Sequence, residues 1–412
     1  MSRRRTAAAG AVVVALVALL AAAYPRPAVA VTDAATSVTC TAEQQAITDA
    51  QQDRVWSIAA TRLVALSGPL TLPFGATGSS TYVRTSAYAW TAGFYPASLW
   101  LMYEHTSDPA WLRLAEEYTQ RVLPVASWHG THDLGFMVGL PAGLGERIDP
   151  SPVRMNAYAT ALRTAARSLS TRWNGRVHAL RSSYYGGRWG VIIDSAMNAP
   201  MLIEVGQREG GVDGQRLVRR GAQHMLTLAN SFVRADGSTR HRLAFNPRTG
   251  AVAGPIYGQG LSTSSTWSRG QAWAINGFAQ AFGLTGDARL LDAARRTADY
   301  WISHVPAGCI PAWDLDVTDD DAPRDSSAAA ITADGLLALS RVETDAARSA
   351  SYRAYALTIL GTLASAPWKI DEGRGVLQRQ SYNVPADPRE GTYSWGDAYL
   401  LHALAAAAAL TS

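Results

Sequence analysis

The sequence has 412 residues and a formal net charge of +4. Arg3, Arg4, Arg5 and Arg26 lie in the first thirty residues, which hold no acid, so the rest of the chain is close to neutral. It lacks the cationic surplus of a nucleic-acid binder held by phosphate contacts, and its scattered histidines and two cysteines show no metal-ligand spacing, so no metal or other cofactor is expected. At the start, the three adjacent arginines precede an apolar run from Ala11 to Ala23 that ends in Ala28-Val29-Ala30. That is the pattern of a signal peptide over 1–30, with a secreted product beginning near Val31. The run is short for a bilayer and no later stretch qualifies, so no membrane span is expected after its removal. Cys40 and Cys309 are the two cysteines, and an oxidising compartment allows them to pair.

An N-terminal arm and first helix occupy 31–84, and 85–412 continues as one catalytic body without a linker. Helical periodicity predicts helices near 42–65, 93–105, 109–122, 151–171, 195–208, 215–231, 270–283, 287–303, 326–341, 348–365 and 396–410, with few strand-like runs. Thr106-Ser107-Asp108-Pro109-Ala110-Trp111-Leu112 is echoed by Thr285-Gly286-Asp287-Ala288-Arg289-Leu290-Leu291 and, faintly, from Thr344-Asp345. Each echo places an aspartate where a helix N-cap belongs. Repeated helix pairs at this spacing mean stacked hairpins, and eleven or twelve helices suit closure into a six-hairpin ring, an all-α (α/α)6 barrel. A ring-shaped core also accommodates a chain longer than one ordinary core. Trp90, Trp100, Trp189, Trp267, Trp273, Trp313 and Trp395 offer flat faces for a sugar, although each alone is as readily ordinary core packing.

Two aspartates carry the chemistry. Asp133 in His132-Asp133-Leu134-Gly135-Phe136 and Asp194 in Ile193-Asp194-Ser195-Ala196-Met197-Asn198 are each flanked by apolar residues. Half-buried carboxylates beside one another have raised pKa values, which keeps an acid protonated near neutrality. A helix cap or an arginine's partner is the ordinary alternative for either. These two motifs are joined by Trp90-Thr91-Ala92-Gly93-Phe94, by Arg234-Ala235-Asp236-Gly237-Ser238-Thr239-Arg240-His241, and by Gln259-Gly260 leading to Trp267-Ser268-Arg269-Gly270-Gln271-Ala272-Trp273. In that order, over roughly 85 to 410, the chain resembles the unsaturated glucuronyl hydrolases of glycoside hydrolase family 88.

The resemblance implies an (α/α)6 barrel that removes a 4,5-unsaturated glucuronic acid from the non-reducing end of an oligosaccharide left by a polysaccharide lyase. Asp194 matches the general acid/base and Asp133 the second essential aspartate. His241, Gln259, Trp267 and Arg269 match residues around the sugar, and Trp90 a stacking tryptophan. Two departures stand out. Where the family has a Ser-Trp pair upstream of the acid/base, this chain reads Arg181-Ser182-Ser183-Tyr184, leaving Tyr184, Tyr185 or Trp189 to supply a stacking face. Many relatives also act inside the cell, whereas this chain begins with an export pattern. The related unsaturated rhamnogalacturonyl hydrolases, which act on pectin fragments, fit less well at Arg269-Gly270-Gln271-Ala272-Trp273, and a non-catalytic sugar-binding barrel fits less well with both aspartates kept. Ser381 to Tyr393, with Arg389, is the candidate outer cleft loop.

Overall fold

The computed structural model describes residues 45–68, 71–78, 81–306, 308–365 and 374–410. The signal pattern and Cys40 lie outside these residues, so the bridge is described only at Cys309, which is disulfide-bonded. Twelve α-helices are present among the described residues: α1 Asp49–Leu66, α2 Phe94–Thr106, α3 Pro109–Val122, α4 Leu140–Ile148, α5 Pro152–Ser170, α6 Pro200–Glu209, α7 Gly211–Phe232, α8 Ser268–Thr285, α9 Ala288–His304, α10 Ser326–Val342, α11 Ala346–Leu363 and α12 Ser394–Ala408.

The even-numbered helices form an inner ring. Each touches the next, α4 reaching α6 through the π-turn Gly135–Gly139, and α12 packs on α2 to close the circle. The odd-numbered helices lie outside, each against its inner predecessor. Helix α1 takes the outer place between α11 and α3: Ile47 N–H donates to Leu357 of α11, and Gly68 N–H to Tyr118 of α3. Composition explains the sorting. Outer α7 and α9 bury one stripe, whereas α8, α10 and α12 are buried on nearly every face and are rich in Ala, Gly and Leu. Small residues let inner helices approach closely; a Cβ on Gly335 of α10 would sit 2.9 Å from Asn276 Cα of α8.

The repeated aspartates are the caps expected of them. Asp108, Asp287 and Asp345 accept backbone N–H bonds at the starts of outer α3, α9 and α11. Three departures from the periodicity stand out. Helix α1 begins at Asp49 rather than near 42, because Thr48 and Gln51 form a reciprocal capping box. The predicted helix 195–208 is instead a 3-10 turn, Ile193–Met197, followed by α6 with Pro200 at its first position. Helix α4 was not expected at all, since Pro141, Gly143 and Gly145 depress helix propensity. Packing overrides propensity there: a Cβ on Gly145 would meet Tyr158 at 2.8 Å and Trp100 at 2.9 Å.

Short strands decorate the N-terminal ends of the inner helices. They are β1 Leu72–Thr77, β2 Val83–Thr85, β3 Trp173–Asn174, β4 Ala179–Leu180, β5 Ser183–Tyr185, β6 Arg188–Ile192, β7 Arg242–Phe245, β8 Val252–Pro255 and β9 Gly391–Tyr393. The order β5-β6-β7-β8 makes an antiparallel sheet with Gly190 opposite Ala244 and Ile192 opposite Arg242. Strand β6 runs directly into the turn that carries Asp194, and β9 directly into α12.

Candidate active site

Most of the motifs that resemble the family sit at the N-terminal ends of inner helices, while the Arg234–His241 segment follows outer α7 and leads into β7. Trp90 precedes α2, Asp133 precedes the Leu134–Ile148 segment, Asp194 precedes α6, Trp267 and Arg269 open α8, and Trp395 lies in the first turn of α12. The sequence motifs are therefore one face of the ring, where the partial positive charge of helix N-termini accumulates.

Asp194 lies in the 3-10 turn. Part of its surface opens to the cleft, yet Oδ2 is enclosed and has no partner in the protein. Burial first, and the neighbouring Asp133 carboxylate second, push its pKa up to about 7, while Arg242 and Arg269 pull it down. Asp133 accepts from Thr131 Oγ1 at 2.9 Å, and its backbone N–H donates to the same oxygen at 3.1 Å. His132 Nε2 stands 3.3 Å from Asp133 Oδ1 without hydrogen-bond geometry. Burial, above all, lowers the pKa of His132.

Asn198 joins the two aspartate segments. Its Oδ1 accepts from Phe136 N–H at 3.0 Å and its Nδ2 donates to the Asp194 carbonyl at 3.2 Å. The glycine of the Asp133 motif is what permits this, because a Cβ on Gly135 would lie 2.7 Å from Asn198 Cα and 2.8 Å from Asn198 Oδ1. Below the turn, Ser195 Oγ donates to the Ile192 carbonyl at 2.6 Å and contacts His224 Nε2 at 2.9 Å. His224 Nδ1 accepts from Leu180 N–H at 3.1 Å, so the neutral ring carries its proton on Nε2 and donates to Ser195. Burial pushes the His224 pKa down to about 3, in keeping with that neutral form.

The predicted sugar-site residues converge on Asp194, though several are engaged in holding the site together. His241 Nδ1 accepts from Gln259 N–H at 2.9 Å, which leaves Nε2–H as a buried donor without a partner. Burial, then Arg242 and Arg269, lower its pKa well below the usual value, so the ring is neutral. The Gln259 amide donates to the Tyr382 carbonyl at 2.7 Å, a loop-fastening role. Trp267, 3% exposed, packs on His241 with ring centroids 4.5 Å apart and lies beneath the Arg269 guanidinium at 4.6 Å. Arg269 makes a structural ion pair: Nη1 donates to Asp325 at 2.6 Å and also to the Ser381 carbonyl, and Nη2 donates to the Tyr382 carbonyl at 2.6 Å. Only its Nε is uncommitted.

The tryptophans largely do not line the cleft. Trp100, Trp189, Trp267, Trp273, Trp313 and Trp395 are buried; Trp90 alone of the seven is partly open, edge-on to Phe136 and tilted on Trp395. In the divergent segment, Tyr184 is 55% exposed under the Arg181 guanidinium, Tyr185 lies under Arg242, and Trp189 is turned away against Phe245. Arg389 pairs with Asp387 and is exposed. His132, Asn198, Arg242 and Asp325 belong to the site although the motifs alone did not single them out. A cavity of about 780 Å³ lies elsewhere, among the later turns of the inner helices, with Phe136 and Met197 on its wall and neither aspartate.

No family model matches the sequence. The chain is 33% identical over 354 residues to the unsaturated glucuronyl hydrolase of Bacillus sp. (strain GL1), a match covering 81% of this chain and 89% of that protein. Its structure resembles the crystal structure of an unsaturated glucuronyl hydrolase specific for heparin, with a TM-score of 0.82 and 29% identity over 88% of this chain and 98% of that one. It also resembles a variant of the Streptococcus agalactiae unsaturated glucuronyl hydrolase complexed with dGlcA-GalNAc6S, with a TM-score of 0.74 and 25% identity over 88% and 92% of the two chains.

Proposed function

The chain belongs to the unsaturated glucuronyl hydrolases, and from that premise we propose that Asp194 is its proton donor and Asp133 the carboxylate that keeps it protonated. The reaction removes a 4,5-unsaturated glucuronic acid from the non-reducing end of lyase-generated, glycosaminoglycan-type oligosaccharides. The substrate's C4=C5–O5 unit is a vinyl ether. Asp194 gives its proton to C4, the C4=C5 π bond is consumed, and the positive charge at C5 is shared with O5. Water then adds to C5 while the Asp194 carboxylate takes one of its protons, restoring the acid. The resulting hemiketal opens at C5–O5 to a ketone, and the hemiacetal left at C1 collapses to release the leaving sugar. One water is used and one carboxyl group serves twice.

The observation that carries this reading is the enclosed, unpartnered Oδ2 of Asp194 with a pKa near 7. Nearly all buried polar groups in folded proteins are paired, yet His132 Nε2, His241 Nε2, Arg242 Nε and Arg269 Nε are unpartnered as well. His241 donates from Nε2 to the sugar or the reacting water, and Trp90 offers the partly open aromatic face. Asp194→Asn tests the reading: the ultraviolet absorbance of the conjugated double bond should decay with the wild type and persist with the variant. Decay at an undiminished rate would remove Asp194 from the mechanism. The export pattern over 1–30 supports a secreted enzyme. N-terminal sequencing of protein recovered from the culture medium should begin near Val31, and recovery only from cell lysate with Met1 intact would refute export.

A further inference from the structure

The cations around the two aspartates are unequally committed: Arg242 and Arg269 act on Asp194, and Arg172, with Arg181 beside it, lies on the Asp133 side. Arg172 spends its donors on the carbonyls of Arg181, His129 and Ser182, each at 2.6 Å. Arg181 donates to Tyr184 Oη at 2.7 Å and stacks on that ring. Both outer nitrogens of Arg269 are occupied by Asp325 and the 381–382 backbone. Arg242 differs. Among the described residues its guanidinium makes one hydrogen bond, a long 3.4 Å contact from Nη1 to the Tyr257 carbonyl, its Nε is buried without a partner, and neither nitrogen meets a carboxylate at hydrogen-bond distance.

Yet Arg242 is held firmly in place. Its guanidinium lies 4.7 Å over the Tyr185 ring, and Tyr185 Oη is in turn hydrogen-bonded to Ser182 Oγ at 3.1 Å. Gly190 admits that ring, since a Cβ there would lie 2.4 Å from it. On the other side Gly258 lets the chain press against the pair His241–Arg242, where a Cβ would fall 2.1 Å from His241 Nδ1 and 3.2 Å from Arg242 Cζ. Strand pairing sets Arg242 opposite Ile192, two residues before Asp194.

We propose that Arg242 is the residue that receives the carboxylate of the unsaturated uronic acid. This rests on the hydrolase reading above. The carboxylate is borne on C5, next to the carbon that Asp194 protonates, so a cation fixed beside Asp194 meets it when C4 is in place. A guanidinium suits the task because its planar fork binds a carboxylate through two parallel bonds. The role is one of substrate orientation and acid specificity, distinct from the structural duty of Arg269.

The test compares an unsaturated glucuronyl disaccharide with its methyl ester, which keeps the conjugated double bond and loses the charge. Wild type should prefer the acid, and Arg242→Gln should shrink the acid-to-ester ratio of kcat/KM roughly 10- to 100-fold, mostly through KM. Arg242→Lys, which keeps the charge without the fork, should retain an intermediate ratio. Equal losses on acid and ester in both variants would overturn the assignment and leave Arg242 a structural residue. Absence of any preference in the wild type would overturn it too. Wild-type turnover of the acid reports separately on the hydrolase reading; no turnover would sink both.

Discussion

At the scale of single residues, protonation is the central variable. In the proposed reaction Asp194 must carry its proton at the outset, and its pKa is raised to about 7. The protonated fraction therefore falls as pH rises through about 7, and kcat/KM should decline on that limb. Asp133 contributes to the shift as a like charge. Asp133→Asn should move the alkaline limb of the residual activity to lower pH, whereas a limb that stays put while KM rises would make Asp133 a sugar-hydroxyl ligand only. These two aspartates were legible in the sequence because apolar flanks and motif order both pointed at them. The tryptophans were not, because an indole that packs a core and one that stacks a sugar have the same spacing; here Trp100, Trp273 and Trp395 are sealed. Arg269 shows a third kind of case, since its partner Asp325 is 56 positions away and only the closed ring brings them together.

At the scale of elements, the site depends on how two inner-helix starts are tied. Asn198→Ala would leave the Phe136 N–H and the Asp194 carbonyl without their partners, at a cost of about 1–3 kcal/mol for each buried group left unpaired. Equilibrium unfolding should register that loss, and turnover should fall more steeply than stability alone requires; unaltered turnover would show that the tie does not position Asp194. The buried pair Arg269–Asp325 fastens α8, α10 and the 381–382 backbone together, since Ser381 N–H also donates to Asp325. Asp325→Ala should destabilise by about 3–5 kcal/mol because it strands a buried guanidinium, and a loss under about 1 kcal/mol in the same unfolding experiment would contradict this. Helix α4 marks the limit of reading elements from sequence: its glycines and proline oppose a helix locally, and contact with Trp100 of neighbouring α2 and Tyr158 of outer α5 favours one.

For the whole molecule, the ring itself was legible in the repeated Asp-capped outer helices, whereas the strands that frame the mouth were not, being only two to six residues long. Burying carboxylates in that ring has a stability consequence. Asp194 and Asp397 both have pKa values raised to about 7, burial being the main cause. Below the ordinary aspartate range both are protonated whether folded or not, and no penalty arises. As pH rises from about 4 to 7 the unfolded chain releases these protons before the folded one does, so stability declines across that window and levels off above it. Asp397→Asn, which keeps an acceptor for the Leu377 N–H, should therefore raise Tm more at pH about 8 than at pH about 5; an equal shift at both would contradict the raised pKa. Glu343 runs the other way: its bonds to Arg295 hold it down at about 2, and its contribution is lost progressively as pH falls from about 4.5 to about 2.

One measurement bears on all three scales: the decay of double-bond absorbance when the purified protein meets unsaturated disaccharides from chondroitin, hyaluronan, heparin and pectin, with Asp194→Asn alongside. The hydration mechanism at Asp194 predicts decay on glycosaminoglycan products and none with the variant. Persistent absorbance on every product from folded wild-type protein, or decay undiminished in the variant, would contradict it, and decay confined to the pectin product would overturn the glycosaminoglycan assignment.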